Sequence, residues 1–298
     1  MSQRDIFLTG SSGFVGKNLV DYLSNQFTIN RSNRYEPIII SESIVIHLAG
    51  KAHDFKNVII PDEYYQANTQ LTQKIFDAFL ASDAKLFITL SSVKAVTDDV
   101  ESELTEEVIP NPITHYGKSK LLAEQYILSQ PISEFKRVYI LRPCMIHGPG
   151  NKGNLNLLYS LVSKGLPWPL GLFENRRSYL SIENFCFIIK ELIEREDIPS
   201  GVYNIADDIP ISTNEIINII AESKGKKANI LNLSRNLIRL LARIGDYLKL
   251  PLNSERLKKL TESYLVSNAK LKVALGKPLP VSSKNGLIRT FQSFAKNA

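Results

Sequence analysis

Apolar residues in the first half of the chain fall in short runs separated by stretches of helical periodicity. Ile6, Phe7 and Leu8 form a run that stops at Gly10, positions 14–25 follow a helical pattern, and Phe27, Thr28 and Ile29 read as a second strand. Runs at 44–48, 86–90 and 138–141 predict further strands, with helical patterns near 63–81 and 113–129 between them. Such alternation predicts an α/β fold built on a doubly wound parallel sheet of Rossmann type, which places ligands at the carboxyl ends of its strands.

Beyond Pro143 the pattern changes to loops rich in glycine and proline, with helices near 154–164 and 182–196 and a strand near 202–205. This predicts a smaller C-terminal α/β lobe, residues 151–298, beside a first domain of residues 1–150. No low-complexity linker and no internal repeat separates the two, so the chain is free to cross between them. Ser212-Thr213-Asn214-Glu215 has the form of a capping box, a structural device at a helix start. Leu237, Leu240, Leu241, Ile244 and Leu248 recur at helical spacing opposite Arg235, Arg239 and Arg243. That pattern fits a helix lying on a membrane surface, or, as basic amphipathic helices more ordinarily do, one packing its leucines on the smaller lobe.

The composition, 44% hydrophobic and 22% charged over 298 residues, is that of an ordinary globular chain with a sizeable core. The first residues offer too short an apolar run for a secretory signal, and no stretch approaches the roughly 20 apolar residues of a transmembrane segment, so a cytoplasmic location is expected. Cys144 and Cys186 are too few and too isolated for a disulfide framework or a zinc cage, and are expected to be reduced and buried. A net charge of +6 suits nucleic acid, an acidic membrane surface or a phosphate-bearing ligand. The basic residues of the C-terminal third lack the interleaved aromatics of a stacking platform, so nucleic acid is not an expected partner.

Chemistry enters at Thr9-Gly10-Ser11-Ser12-Gly13-Phe14-Val15-Gly16, where Gly10, Gly13 and Gly16 mark the turn from the first strand to the first helix. Glycines there let backbone amides, including those of Ser12, Phe14 and Val15, approach a pyrophosphate at the positive end of the helix dipole. The context of strand, glycine turn and helix makes 1–150 a dinucleotide-binding domain. An NAD-specific site normally closes its second strand with a carboxylate, whereas this chain reads Asn30-Arg31-Ser32-Asn33-Arg34. Arg31 or Arg34 would clamp a 2′-phosphate, so NADP(H) is favoured and NAD(H) stays open.

Tyr116 and Lys120 stand at i and i+4 on a predicted helix and share a face. A free tyrosine titrates near ~10, and an adjacent ammonium is expected to bring it toward the range useful for proton transfer. Ser91 and Ser92 end an apolar strand, so the Ser92 hydroxyl is expected to face the same crevice.

Taken together, Thr-Gly-x-x-Gly-Phe-x-Gly, His47-Leu48-Ala49-Gly50, the Ser-Ser strand end, Tyr116-Gly117-Lys118-Ser119-Lys120 and Leu141-Arg142-Pro143 resemble the extended short-chain dehydrogenase/reductases, the NAD-dependent epimerase/dehydratase group. The resemblance covers nearly the whole chain. It implies that Ser92, Tyr116 and Lys120 act on a nucleotide-linked sugar, with Lys120 also holding the nicotinamide ribose. It further implies cofactor contacts from Leu48, Ala49, Gly50, Lys51, Asn68, Ser91 and Pro143, a substrate diphosphate on Arg177, and Asn154 in the sugar-nucleotide pocket. A homodimer through the helices near 63–81 and 113–129, common in the family, remains open.

Two departures matter. Family 4,6-dehydratases resemble Ser/Thr-Asp-Glu at the catalytic strand end, where this chain has Ser92-Val93-Lys94, so dehydration is not expected. The stretch between Arg34 and Ile44 is short, so the usual adenine-side strand is expected to be reduced or missing. The text around Lys152-Gly153-Asn154 and from Lys164 to Ser178 is most similar to bacterial reductases of UDP-4-keto-6-deoxy-N-acetylhexosamines, which serve surface-polysaccharide synthesis. A UDP-sugar 4-epimerase with retained NAD is the alternative, and a cofactor-binding regulator with an idle site is a third, since fold does not fix function.

Overall fold

The computed structural model describes residues 5–32, 37–51, 60–151, 153–249 and 253–296. The opening apolar run becomes strand β1 (Asp5–Thr9), followed by helix α1 (Phe14–Leu23) and strand β2 (Thr28–Arg31). Next come β3 (Ile44–His47) and α2 (Pro61–Tyr64), which runs through a π-helical turn (Tyr65–Gln70) into α3 (Leu71–Ala81). The chain continues as β4 (Leu86–Leu90), β5 (Glu103–Leu104), α4 (His115–Ser129), β6 (Arg137–Pro143), β7 (Met145–His147), α5 (Asn154–Ser163) and β8 (Tyr179–Ser181). It closes with α6 (Ile182–Glu194), β9 (Gly201–Ile205), α7 (Thr213–Ser223), α8 (Arg235–Leu248), α9 (Ser254–Thr261), β10 (Leu265–Val266), α10 (Ala269–Leu275) and α11 (Ser283–Lys296).

Six strands form one parallel sheet in the order β2-β1-β3-β4-β6-β9. From β1 the chain steps outward to β2 and returns to pair β3 on the far side of β1, so the order reverses between β1 and β3. A doubly wound sheet opens its ligand crevice at that switch point. The central strands are apolar and buried, as helices on both faces require. On one face Phe7, Val45, Phe87 and Ile140 meet Ile75, Phe76 and Phe79 of α3 and Ile127 of α4, with the Phe76 and Phe87 ring centroids 4.9 Å apart.

The expected α/β fold is present, but the division of the chain is not a single cut at 150/151. One compact unit comprises the described residues of Met1–Cys144, Asn184–Ala206 and Val266–Pro280, and the other those of Met145–Glu183, Asp207–Leu265 and Val281–Ala298. The reason is the sheet's last strand. β9 pairs along β6 from Tyr139 opposite Gly201 to Pro143 opposite Ile205, and the chain must re-enter the first unit to make it. Between β2 and β3 no strand forms among the described residues. There Ile38 and Ile40 pack on the sheet's core, and the buried Glu42 accepts from Asn30 Nδ2 at 2.8 Å and from the Ser41 amide at 2.9 Å.

In the second unit Leu155, Leu158 and Tyr159 of α5 share a core with Ile216, Ile217 and Ile220 of α7 and Leu287, Phe291 and Phe294 of α11. The capping box forms: Ser212 Oγ accepts from the Glu215 amide at 3.1 Å, and Glu215 accepts from the Ser212 amide at 2.7 Å. Helix α8 departs from the packed-leucine expectation. Only Ile238, Ala242 and Gly245 are buried, because these positions, two of them small, form the seam that approaches the core, while Leu237, Leu240, Leu241, Ile244 and Leu248 are exposed.

In the first unit a buried ion pair fixes α4 to the sheet. Glu124, on the same face of α4 as Tyr116 and Lys120, receives Arg142 of β6: Nε lies 3.0 and 3.1 Å from the two carboxylate oxygens and Nη2 2.5 Å from Oε2. Ser91, just past β4, donates its hydroxyl to Oε1 of the same carboxylate. Glu124 is 2% exposed and Arg142 5%, so removing one partner strands a charge away from water. Arg142→Met is expected to lower the unfolding free energy by about 3–5 kcal/mol in chemical denaturation. The Glu124→Leu/Arg142→Met double variant is expected to recover most of that loss; additive losses in the double variant would show that the pair is not coupled.

Candidate active site at the carboxyl edge of the sheet

The glycine turn sits at the switch point. Gly10 has φ +74, and a Cβ there would come within 2.6 Å of the Ala49 amide nitrogen and 2.7 Å of the Leu48 carbonyl carbon. Only glycine combines that left-handed backbone with so close an approach to the β3 end. Gly16 is buried in the first turn of α1 against Gly10, and Ser12 and Gly13 are exposed. No side chain caps α1, and Lys17 is the first amide to bond back, to the Gly13 carbonyl at 2.9 Å. The amides of Phe14, Val15 and Gly16 therefore stay open at the positive end of the helix, the donor set a pyrophosphate requires. These residues fit a dinucleotide. Arg31 ends β2 opposite Leu8 with an exposed side chain, where a ribose substituent would be read; Arg34 lies outside the described residues.

Behind the glycine turn runs a buried polar chain. The Ala49 amide donates to Thr9 Oγ at 3.2 Å, Thr9 Oγ lies 2.7 Å from His47 Nδ1, His47 Nε2 lies 3.0 Å from Thr72 Oγ, and Thr72 donates to the Asn68 carbonyl at 2.6 Å. Thr72 has one proton and gives it to Asn68, so it accepts from His47 Nε2–H, and Nδ1 accepts from Thr9. The imidazole is thus neutral. Burial, reinforced by the Lys120 charge, holds its pKa down at about 3.

By taking the carbonyl four residues back, the Thr72 hydroxyl supports the wide π-helical turn that carries Asn68. Asn68 is fully buried. Its Oδ1 accepts from the Lys51 amide at 2.7 Å, and its Nδ2 donates to the Lys51 carbonyl and to Ser119 Oγ, each at 3.0 Å. It therefore ties the loop after β3 to α4. The Lys51 ammonium pairs with Glu63.

Helix α4 begins two residues later than its periodicity predicts, because Thr114 caps it and Asp98 holds the amides of Ile113 and Thr114 at 2.8 and 3.1 Å. That start aims Tyr116 at the end of β4, where the Tyr116 and Ser92 hydroxyls are hydrogen-bonded. The expected lowering of the tyrosine pKa is not what the site produces. Burial of the hydroxyl end raises it, and the Ser92 hydrogen bond only partly opposes this. Lys120 is instead engaged with the Leu90 carbonyl at 2.8 Å, and burial, against the pull of Glu124, lowers its own pKa to about 8. A Cβ on Gly50 would sit 2.8 Å from Asn68 Oδ1 and 3.1 Å from Lys120 Nζ, so the ammonium stands beside the end of β3. Ser91, expected at the cofactor, turns its hydroxyl to Glu124, and Pro143 is buried at the end of β6.

The profile of the NAD dependent epimerase/dehydratase family matches residues 30–206. The chain belongs to this family. It is 30% identical, over 98% of its length and 95% of the relative's, to a UDP-glucose 4-epimerase of Vibrio cholerae. A GDP-6-deoxy-D-mannose reductase of Pseudomonas aeruginosa is 29% identical over 74% of this chain and 80% of its own. The structure of RMD from Pseudomonas aeruginosa complexed with NADPH superposes with a TM-score of 0.74 at 23% identity, covering 99% of this chain and all of that one, which is a likeness of fold.

For this family member the second unit holds the two residues expected at substrate. Asn154 is exposed as the first residue of α5, and Arg177 is half-buried, its guanidinium donating to the Lys259 carbonyl at 2.7 Å. Lys152 lies outside the described residues. Thr72 and Glu124 lay in none of the motifs, although Glu124 continues the i, i+4 series of Tyr116 and Lys120, and Thr9 opened the glycine motif without its bond to His47 being foreseen.

A histidine held neutral against an ordinary value of about 6.5 makes stability depend on pH. His47 contributes fully above about 6.5, and its contribution is lost as pH falls toward 3, at up to about 1.4 kcal/mol per pH unit. The stability gap between the wild type and His47→Gln should therefore narrow between pH 7 and pH 4 in urea titrations. A gap that stays constant would contradict the neutral, buried imidazole.

Proposed function

We propose that the chain reduces the C4 ketone of a UDP-4-keto-6-deoxy-N-acetylhexosamine, with NADPH, in the synthesis of a surface-polysaccharide precursor. When bound, the reduced nicotinamide supplies a hydride to the sugar C4. Tyr116 then gives its phenolic proton to the C4 oxygen, Ser92 hydrogen-bonds that oxygen and aligns it, and Lys120 holds the nicotinamide ribose and stabilises the phenolate left behind. Arg177 and Asn154 bind the sugar nucleotide.

The observation that carries the reading is the pairing of the Tyr116 and Ser92 hydroxyls at the end of β4, with Lys120 on the same face of α4. A protonated phenol there is placed to donate to a ketone oxygen, and the cofactor side of the crevice separates net reduction from epimerisation. Two features support it. Arg31, at the strand end where a carboxylate would select NAD, suits a 2′-phosphate. Val93 is buried and Lys94 donates its ammonium to the Asp98 carbonyl at 2.6 Å, so the two positions after Ser92 supply no carboxylate acid and base to eliminate water. The ketosugar is then made elsewhere.

A UDP-sugar 4-epimerase with retained NAD is the second reading, favoured by the likeness to the Vibrio cholerae epimerase. Purified protein is expected to consume one NADPH per ketosugar, with matching loss of reduced-nicotinamide absorbance, and to carry little bound NAD. Interconversion of UDP-GlcNAc and UDP-GalNAc without added cofactor, with silence toward the ketosugar, would replace this reading by the epimerase.

A further inference from the structure

Helix α8 presents three different faces. At about 100° per residue, the seam of Ile238, Ala242 and Gly245 faces the second unit's core, and the row of Arg235, Arg239 and Arg243 follows on one side of it. On the other side Leu237, Leu240, Leu241, Ile244 and Leu248 form a contiguous arc of exposed side chains; Leu240 is 55% exposed and Leu248 57%. Tyr247, 89% exposed, stands at the edge of this arc. Single exposed aliphatic residues are ordinary, but four leucines and an isoleucine on one arc of one helix are a patch with a use.

Charge selects what covers it. Between residues 235 and 261 seven lysines and arginines stand against two acids, Asp246 and Glu255, so this stretch holds most of the chain's net charge of +6. Among the described residues neither Arg239 nor Arg243 has an ion pair, and both line a cleft of about 440 Å3 with Arg235, Lys258 and one acid, Glu174. An anionic bilayer takes the apolar arc into the boundary between headgroups and acyl chains, and the excess positive charge of residues 235–261 draws the stretch to lipid phosphates. No described helix is long and apolar enough to cross a membrane, which leaves lying on the surface as the mode.

We propose that α8 is a membrane-surface helix that docks the chain on bilayers containing anionic lipid. The inference is independent of which reaction the first unit performs. It is tested by sedimenting the full chain with vesicles of phosphatidylcholine alone or mixed with phosphatidylglycerol. The wild type should pellet with the mixed vesicles, be released by salt, and leave phosphatidylcholine vesicles largely bare. Leu240→Glu/Ile244→Glu, whose exposed positions predict an unchanged circular dichroism spectrum and melting temperature, should weaken partitioning by roughly tenfold or more. Arg239→Glu/Arg243→Glu provides an independent variant and should abolish the preference for anionic vesicles. The proposal is overturned if the wild type binds no vesicle, or if the leucine-arc variant binds as well as wild type. A dimer in sedimentation velocity that Leu240→Glu/Ile244→Glu dissociates, without vesicle binding, would assign the face to a second copy.

Discussion

The candidate site depends on one buried ion pair. Glu124 and Arg142 meet where α4 lies against β4 and β6, each almost wholly removed from water, with Ser91 completing the carboxylate's hydrogen bonds. Geometry this specific offsets the desolvation of two charges only when the partners are held in register. Tyr116 and Lys120 are carried by the same helix, so the register that satisfies Glu124 also sets the reach of the phenol to Ser92 and of the ammonium to Leu90.

A second, neutral network does the complementary task. The sequence of single protons from Ala49 through Thr9, His47 and Thr72 to Asn68 admits one tautomer, and it links the ends of β1 and β3 to the π-helical turn. Asn68 passes that constraint on to Ser119 of α4. The crevice is thus bounded by an open helix end on one side and a braced helix on the other. The open helix end and the Tyr116 hydroxyl have separate supports.

Much of this was legible in the chain. The glycine spacing after an apolar strand located the switch point, because only glycine tolerates the backbone at Gly10, and the Tyr116–Lys120 interval located a shared helix face. Arg142 stood within a recognisable motif, but its partner is 18 residues away and on another element, a pairing that only the packing of α4 on β6 defines. The tyrosine pKa went the other way from expectation because burial outweighs the Ser92 hydrogen bond, while the Lys120 ammonium is turned toward the Leu90 carbonyl. The domain boundary was misplaced because strand periodicity at 201–205 does not say which sheet the strand joins. On α8 the four leucines and Ile244 outnumbered the buried positions, so amphipathicity was plain while its orientation was not: Ala242 and Gly245 allow the close approach that makes the seam.

The account's central claim is that the half-buried Tyr116 phenol, hydrogen-bonded to Ser92, is the proton donor at the nicotinamide crevice. Single-turnover reduction of the ketosugar by Tyr116→Phe, followed by reduced-nicotinamide absorbance, tests it most directly when paired with a dinucleotide-binding titration. The account predicts a rate lower by roughly 10²-fold or more with dinucleotide affinity unchanged. A rate close to that of the wild type would contradict it.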